Sequence, residues 1–320
     1  MKVFITGGHG FIGSHVVRKL VEQGHSVRCL VRESSDTSRI DGIEWERFKG
    51  DVRSKELMIE GIDGCDAVIH LASPSSWDDI NSPYMKQIVE DGTRNVLDAA
   101  RHHGGLDVVY CSSTIAVNGT DDAVVQNEDT EFTLKDPSLV YAMSKNAAEK
   151  ICEEYSDLRV VTVCPAEVYG PHDTGMVTAG NLVDFATSPV VLVTRGGTAV
   201  VHVEDVADGV IAALEKGKAG GRYILGGENL TIEGLAQLTL EILGLNKKVV
   251  VVPTPWIKSL TKVGQTLRLP LPYNPLVIPY ATKFWFISNE KATKELGITF
   301  RDARATLEPT IEWLKAEGLV

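Results

Sequence analysis

What this 320-residue sequence lacks narrows its chemistry first. No apolar stretch approaches the roughly 20 residues that a membrane-spanning helix requires. No cluster of Lys and Arg interrupts a chain whose formal net charge is −11. That acidity argues against nucleic acid or a membrane as the main partner, so any phosphate must be gripped by a local site. The five cysteines (Cys29, Cys65, Cys111, Cys152, Cys164) are scattered, odd in number and form no Cys-x-x-Cys pair. Each is flanked by apolar or helix-like sequence, which predicts buried free thiols and a reducing compartment. No histidine pair has metal-ligand spacing, so no catalytic metal is expected. Internal repeats and low-complexity tracts are also missing. The first strand is expected from about Lys2, leaving no room for a signal peptide, and a cytoplasmic protein is expected.

The remaining composition, 43% apolar and 23% charged, is that of an ordinary globular protein. Short β-branched runs alternate with helical stripes through the first half. Lys2 to Thr6, Val27 to Val31, Asp66 to Leu71, Val108 to Cys111 and Arg159 to Cys164 read as strands. Phe11 to Gln23, Tyr84 to His103 and Ser138 to Tyr155 read as helices. Near-continuous apolar strands separated by helices predict a parallel sheet covered on both faces, the doubly wound α/β class. After Pro165 the rhythm changes. A strand near Val200 leads into a helix at about 204–216, and Arg222 to Leu225 reads as a strand returning to the main body. Helices are expected at about 231–243, 289–296 and 303–316, a strand at 248–252, and a proline-punctuated segment at 253–279. This half reads as a small lobe on the carboxyl edge of the sheet, where such folds bind ligands.

Two constellations carry chemistry. Gly7-x-x-Gly10-x-x-Gly13 lies between the first strand and the first helix. The turn needs glycine at 7, a side chain at 10 would block a pyrophosphate, and glycine at 13 lets helix and strand pack closely. Strand two ends Leu30-Val31-Arg32-Glu33. Arg32 at the deciding place favours NADP by accommodating a 2′-phosphate, while a one-residue shift to Glu33 would favour NAD. Asp51, after Gly50, reads either as an acceptor from an adenine amino group or as a turn aspartate. The second constellation is Tyr141-Ala-Met-Ser-Lys145, whose ends share a helix face at i and i+4. A nearby ammonium favours the phenolate, so Tyr141 can pass a proton to or from a carbonyl or alcohol oxygen. Cys111-Ser112-Ser113-Thr114 ends a strand earlier in the chain, where a hydroxyl could polarise the same oxygen.

Further segments join these in a fixed order: Thr6 to Gly13, Gly50-Asp51-Val52, His70-Leu71-Ala72, Tyr110 to Ser113, Tyr141-x-x-x-Lys145, Pro165-x-x-Val168-Tyr169-Gly170-Pro171, and His202-Val203-x-Asp205-Val206-Ala207. The set resembles the extended short-chain dehydrogenase/reductases of the NAD-dependent epimerase/dehydratase superfamily. The likeness spans nearly the whole chain and is thinnest over 253–287. It implies a Rossmann domain of residues 1–165 plus about 198–227, with a smaller substrate lobe of about 166–197 and 228–320. Tyr141 becomes the acid/base, and Lys145 its activator and the clamp on the nicotinamide ribose. Alignment with the dihydroflavonol-reductase-like branch makes Ser113 the polarising hydroxyl, whereas counting back from Gly119 selects Thr114. Cofactor contacts are implied for Gly7, Gly10, Phe11, Ile12, Gly13, Arg32, Asp51, Val52, Leu71, Ala72, Ser73, Tyr141, Lys145, Pro165 and Val168. Substrate contacts are implied for Ser75, Glu167 and His172, and a homodimer through the helices at about 84–103 and 138–155.

Val31-Arg32 and Arg222 to Thr231 look most like the bacterial dihydroflavonol-reductase-like branch, which includes the hopanoid-associated sugar epimerases. Three departures separate the chain from the sugar-nucleotide pattern. Ile115-Ala116 replaces an acidic pair, Glu167 stands where an asparagine often meets the substrate pyrophosphate, and Val89 replaces another common asparagine. The expected activity is hydride transfer between NADP(H) and a secondary alcohol or ketone of a small, partly apolar substrate. The alternatives are an epimerase that keeps NAD bound and a non-catalytic NADP-binding protein. Trp77, Met85, Phe185, Trp256, Trp285 and Phe286 are candidates for an apolar pocket, each also readable as core. His172, Arg195 and His202 are candidate polar contacts, equally readable as a turn residue, a surface charge and a satisfied strand histidine.

Overall fold

The computed structural model describes residues 1–74, 79, 82, 84–267 and 275–320. Seven strands form one parallel sheet: β1 (Lys2–Thr6), β2 (Ser26–Val31), β3 (Glu46–Lys49), β4 (Ala67–His70), β5 (Asp107–Cys111), β6 (Val160–Pro165) and, after three strands elsewhere, β10 (Arg222–Leu225). Their spatial order is β3-β2-β1-β4-β5-β6-β10. The winding direction therefore reverses between β1 and β4, and ligands of such sheets bind in the crevice outside the strands' carboxyl ends at that point.

Alternation along each strand decides which helix covers it. In β1, Val3 and Ile5 face one layer and Phe4 the other. The first layer is α1 (Phe11–Glu22), packed beside a later helix (Val203–Lys216) through Val16, Val17, Leu20, Val206 and Val210. The second layer contains α2 (Lys55–Ile62), α3 (Tyr84–Lys86), α4 (Gly92–His102) and α5 (Val140–Glu153). Met58, Ile62, Val96, Leu97 and Ala148 are among its fully buried contacts. A π-helical turn, Gln87–Asp91, interrupts the single helix expected from 84 to 103.

Beyond β6 lie β7 (Glu167–Tyr169), α6 (Ala179–Thr187), β8 (Val191–Thr194), β9 (Gly197–His202) and α7 (Val203–Lys216). After β10 come β11 (Glu228–Thr231), α8 (Ile232–Leu243), β12 (Val249–Val252), α9 (Thr254–Leu267), α10 (Ile278–Ala281), β13 (Phe284–Trp285) and α11 (Ala303–Ala316). β9 pairs β7, β11 and β13, while β12 pairs β8. A separate apolar core, including Tyr169, Leu182, Phe185, Leu235 and Leu307, joins α6, α8 and α11. Side chains fix the helix starts: Ser54, Thr231 and Asp302 accept from backbone N–H groups of α2, α8 and α11. Within the proline-punctuated segment lies α9. Pro255 sits in its first turn, where a missing N–H costs nothing. All five cysteines are free and buried, as their apolar flanks predict.

Candidate active site

The crevice begins at the turn after β1. Gly7 has φ +74°, and a Cβ there would lie 2.8 Å from Ala72 N and 2.9 Å from Leu71 C. The close approach is held by Leu71 N donating to Thr6 O at 3.0 Å and Ala72 N to Thr6 Oγ1 at 3.2 Å. Behind it, buried His70 bridges Thr6 Oγ1 (2.6 Å) and Thr93 Oγ1 (3.1 Å). Burial pushes its pKa down to about 3, so the bridge is made by neutral imidazole. Gly13 allows α1 to touch the turn, since a Cβ would fall 2.0 Å from Gly7 O.

Gly10 differs: its Cβ would meet only Gly7 O, at 3.2 Å, leaving the space over it open. No side chain caps α1 at Gly10. Its first N–H groups thus face an open cradle with the positive end of the helix dipole, and these features fit a dinucleotide pyrophosphate. Phe11 and Ile12 start the helix and pack partly buried on the sheet.

At the end of β2, Arg32 is exposed and its guanidinium makes no hydrogen bond or ion pair among the described residues, whereas Glu33 is engaged by Lys49 at 2.8 Å. Arg39 and Arg47, which belong to no motif, gather here too. Together with burial, Arg32, Arg39 and Arg47 hold the His9 imidazole below its usual pKa, and His9 Nδ1 is buried without a partner. Arg47 donates to Thr37 Oγ1 at 3.0 Å, and Arg39 to the His172 carbonyl at 3.2 Å. Both arginines lie where the chain path from β2 to β3 decides proximity, and spacing does not reveal that path.

Asp51 takes three donations from Arg53, at 2.8–3.0 Å, which lower its carboxyl pKa. Its turn role is therefore met within the chain. Val52 is buried, and its carbonyl accepts from Asn95 at 2.9 Å.

The second constellation lies across the crevice on α5. Tyr141 is half-buried in the first turn, and Lys145, 2% exposed, follows one turn later. Lys145 Nζ donates to the Cys111 carbonyl at the end of β5 at 2.8 Å and lies 5.8 Å from the Tyr141 ring centre. The expected lowering of the phenol pKa does not dominate. Burial pushes Tyr141 well up, opposed by a hydrogen bond with Ser73, and burial pushes Lys145 down. The ammonium is directed at the Cys111 carbonyl, so desolvation wins and the Tyr141 phenol is held protonated. Ser113 is half-buried, with its Oγ making a 3.5 Å contact to Pro165 O. Thr114 is 5% exposed in a 3₁₀ turn. Ser73, Ser113, Pro165, Tyr141 and Lys145 thus come to the ends of β4, β5 and β6.

Other expectations separate. Glu167 is bonded within its own region, accepting from Tyr169 Oη at 2.6 Å and Asn181 Nδ2 at 2.9 Å, and burial raises its pKa. One carboxyl oxygen, Oε1, is thus bonded to β7 and α6. Val168 is buried in the main core. His172 (φ +68°) is exposed, its carbonyl bound by Arg39 and its ring 6.0 Å from Trp313, which places it by the β2–β3 connection. His202 caps α7, with Nδ1 accepting from Glu204 N at 3.2 Å. Burial and Arg301 push it down to about 4, the satisfied strand histidine. Arg195 is an exposed surface charge near Asp122.

Met85, Phe185 and Trp285 are core, and Phe286 packs on Phe284 at 5.4 Å. Trp256 is 70% exposed and lines an apolar hollow of about 320 Å³ with Pro255, Ser259, Leu260 and Val263 of α9. Ser75 and Trp77 lie outside the described residues. Among the described residues, no helix is long and apolar enough to cross a membrane.

Known proteins resemble the chain in sequence and fold. Residues 3–226 match the model of the NAD dependent epimerase/dehydratase family. A 4-hydroxy-2-methyl-3-oxo-4-farnesyl-3,4-dihydroquinoline-1-oxide ketoreductase of Stigmatella aurantiaca is 27% identical, over 99% of this chain and 97% of its own. A dihydroflavonol 4-reductase of Callistephus chinensis is 28% identical over 74% of this chain and 71% of its own. The crystal structure of gox2253 superposes with a TM-score of 0.84 at 29% identity, covering 99% of both chains. That of the Thermus thermophilus UDP-glucose 4-epimerase with NAD gives 0.78 at 23% identity, covering 98% of this chain and 99% of its own, a likeness of fold. The chain belongs to the NAD-dependent epimerase/dehydratase family, and it is an NAD(P)-dependent enzyme of the extended short-chain dehydrogenase/reductase type.

Proposed function

We propose that the protein is an NADP(H)-dependent reductase acting on a ketone, or its secondary alcohol, in a small and partly apolar substrate. The observation that carries this reading is the pairing across one crevice of an uncapped α1 N-terminus with the Tyr141–Lys145 pair at the end of β5. When bound, the cofactor supplies the hydride. Gly7, Gly10, Gly13 and the first N–H groups of α1 would hold its pyrophosphate, and Arg32 its 2′-phosphate. Lys145 would hold the nicotinamide ribose. Tyr141, kept protonated by burial, delivers its phenolic proton to the carbonyl oxygen as charge develops there, and takes it back in the reverse direction. Ser113, more open than Thr114, donates a hydrogen bond to the same oxygen.

Free Arg32 beside paired Glu33 favours NADP over NAD. Reductases among the relatives, one acting on a farnesylated ketone by its name, favour the reductase reading. The epimerase likeness of fold keeps one rival, an NAD-retaining sugar-nucleotide epimerase using the same Tyr141 and Lys145. Separate fluorescence titrations with NADPH and NADH decide between them. Tighter NADPH binding, lost in Arg32→Ala, supports the reductase. A preference for NADH, or NAD that co-purifies and does not exchange, overturns it.

A further inference from the structure

One helical turn beyond Lys145, on the same face of α5, Glu149 is 8% exposed. Its carboxylate accepts from Ser112 Oγ and from Cys164 Sγ (3.5 Å), and it pairs with Arg222 on β10 at 2.8 Å. Arg222 also donates to Ala116 O at 2.9 Å and Glu128 O at 3.4 Å, while Glu128 Oε1 accepts from Ile224 N at 2.9 Å. One buried ion pair therefore ties α5 to the ends of β5 and β6, to β10, and to the turn after β5. Ser112 sits between Cys111, whose carbonyl receives the Lys145 ammonium, and Ser113.

Stability is a weak reason to keep such a pair, because desolvating two charges costs about as much as their attraction returns. We propose that Glu149 is a positioning residue for the Tyr141–Lys145 site: it holds the end of β5 through Ser112 and supplies the negative charge that Lys145 faces. The proposal rests on the role given to Lys145 above.

The surroundings of Lys145 single out Glu149. Cys111 on β5, Cys152 on α5 and Cys164 on β6 face it, as do Tyr110, Tyr141 and His70. Burial raises all three thiols and both phenols, and the imidazole is neutral, so none of these is charged near neutral pH. Burial lowers the Lys145 pKa and the Glu149 carboxylate opposes that fall, while burial raises the Glu149 carboxyl itself and Arg222 opposes that rise.

The test is an NMR titration of the full-length protein labelled with ¹³C-lysine, with the Lys145 signal assigned through Lys145→Met. In Glu149→Gln the Lys145 midpoint drops by about half a unit or more. Arg222→Gln breaks the same ion pair but keeps the Glu149 carboxyl beside Lys145, so the midpoint drops less than in Glu149→Gln. Should the buried Arg222 charge keep Glu149→Gln from folding, the double variant Glu149→Gln/Arg222→Gln carries the test, and its midpoint drops too. An unmoved midpoint in the variants lacking Glu149, or an equal drop in Arg222→Gln, overturns the proposal in favour of a structural pair. No substrate enters this titration, so its failure is distinguishable from failure of the reductase reading.

Discussion

Alanine at Gly10 and at Gly13 should separate cofactor binding from folding. At Gly13 the new Cβ would lie 2.0 Å from Gly7 O and 2.8 Å from Gly8 Cα, both backbone, so β1 and α1 must part. Such overpacking costs about 1–3 kcal/mol or more, against roughly 1 kcal/mol that alanine gains over glycine inside a helix. At Gly10, φ −73° suits any L-residue and the one close atom is Gly7 O at 3.2 Å. Loss of a glycine N-cap there costs from a few tenths to about 1 kcal/mol. In a chain of this size 1 kcal/mol moves Tm by roughly 2 °C. Gly10→Ala should therefore melt within about 2 °C of the wild type, yet its methyl group stands over the free N–H groups of α1 and should weaken NADPH binding by about tenfold or more. Gly13→Ala should lose both, melting about 3 °C or more lower. Circular-dichroism melts and NADPH fluorescence titrations read the two effects. Wild-type affinity in Gly10→Ala, or equal melting losses in both variants, would rule out this division of roles.

Two other predictions concern the scaffold. His70 has a folded pKa near 3 against about 6.5 unfolded, so the unfolded chain binds more protons between those values. Stability should fall by a few kcal/mol as pH drops from about 6.5 towards 3, and that component should be absent in His70→Asn, as urea melts across the range will show. The tryptophans should also divide. Trp285→Ala, at a site 6% exposed, should cost about 3–5 kcal/mol, while Trp256→Ala, at 70% exposure, should stay within about 0.5 kcal/mol in the same melts.

Much of the fold was legible because it is written in local patterns. The runs at Val3-Phe4-Ile5 and Val68-Ile69 are apolar on both faces, and only a sheet covered twice buries them. Gly7 and Gly13 marked a tight turn because a side chain at either would strike backbone, while the space over Gly10 is open. The i,i+4 spacing put Tyr141 and Lys145 on one helix face without knowledge of the rest. Spacing could not reveal that Lys145 would turn to the Cys111 carbonyl, and this is why the phenol is governed by burial. Residues brought close by long connections were illegible. Arg39 and Arg47 meet His9 only through the path from β2 to β3, and Arg222 reaches Glu149 across 73 positions because β10 lies beside β6. Helix α9 went unassigned among the prolines of 253–279, although Pro253 and Pro255 fall before and within its first turn, where proline suits a helix start.

The reductase assignment meets its most direct test in NADPH consumption against a panel of aliphatic and aromatic ketones and aldehydes, wild type beside Tyr141→Phe. The wild type should turn over at least one carbonyl compound. In Tyr141→Phe that turnover should be lost, with NADPH affinity unchanged within about twofold, because the phenolic proton serves chemistry and not binding. Equal turnover in Tyr141→Phe, or no carbonyl turnover from a protein that purifies with NAD and interconverts a sugar nucleotide, would contradict the assignment.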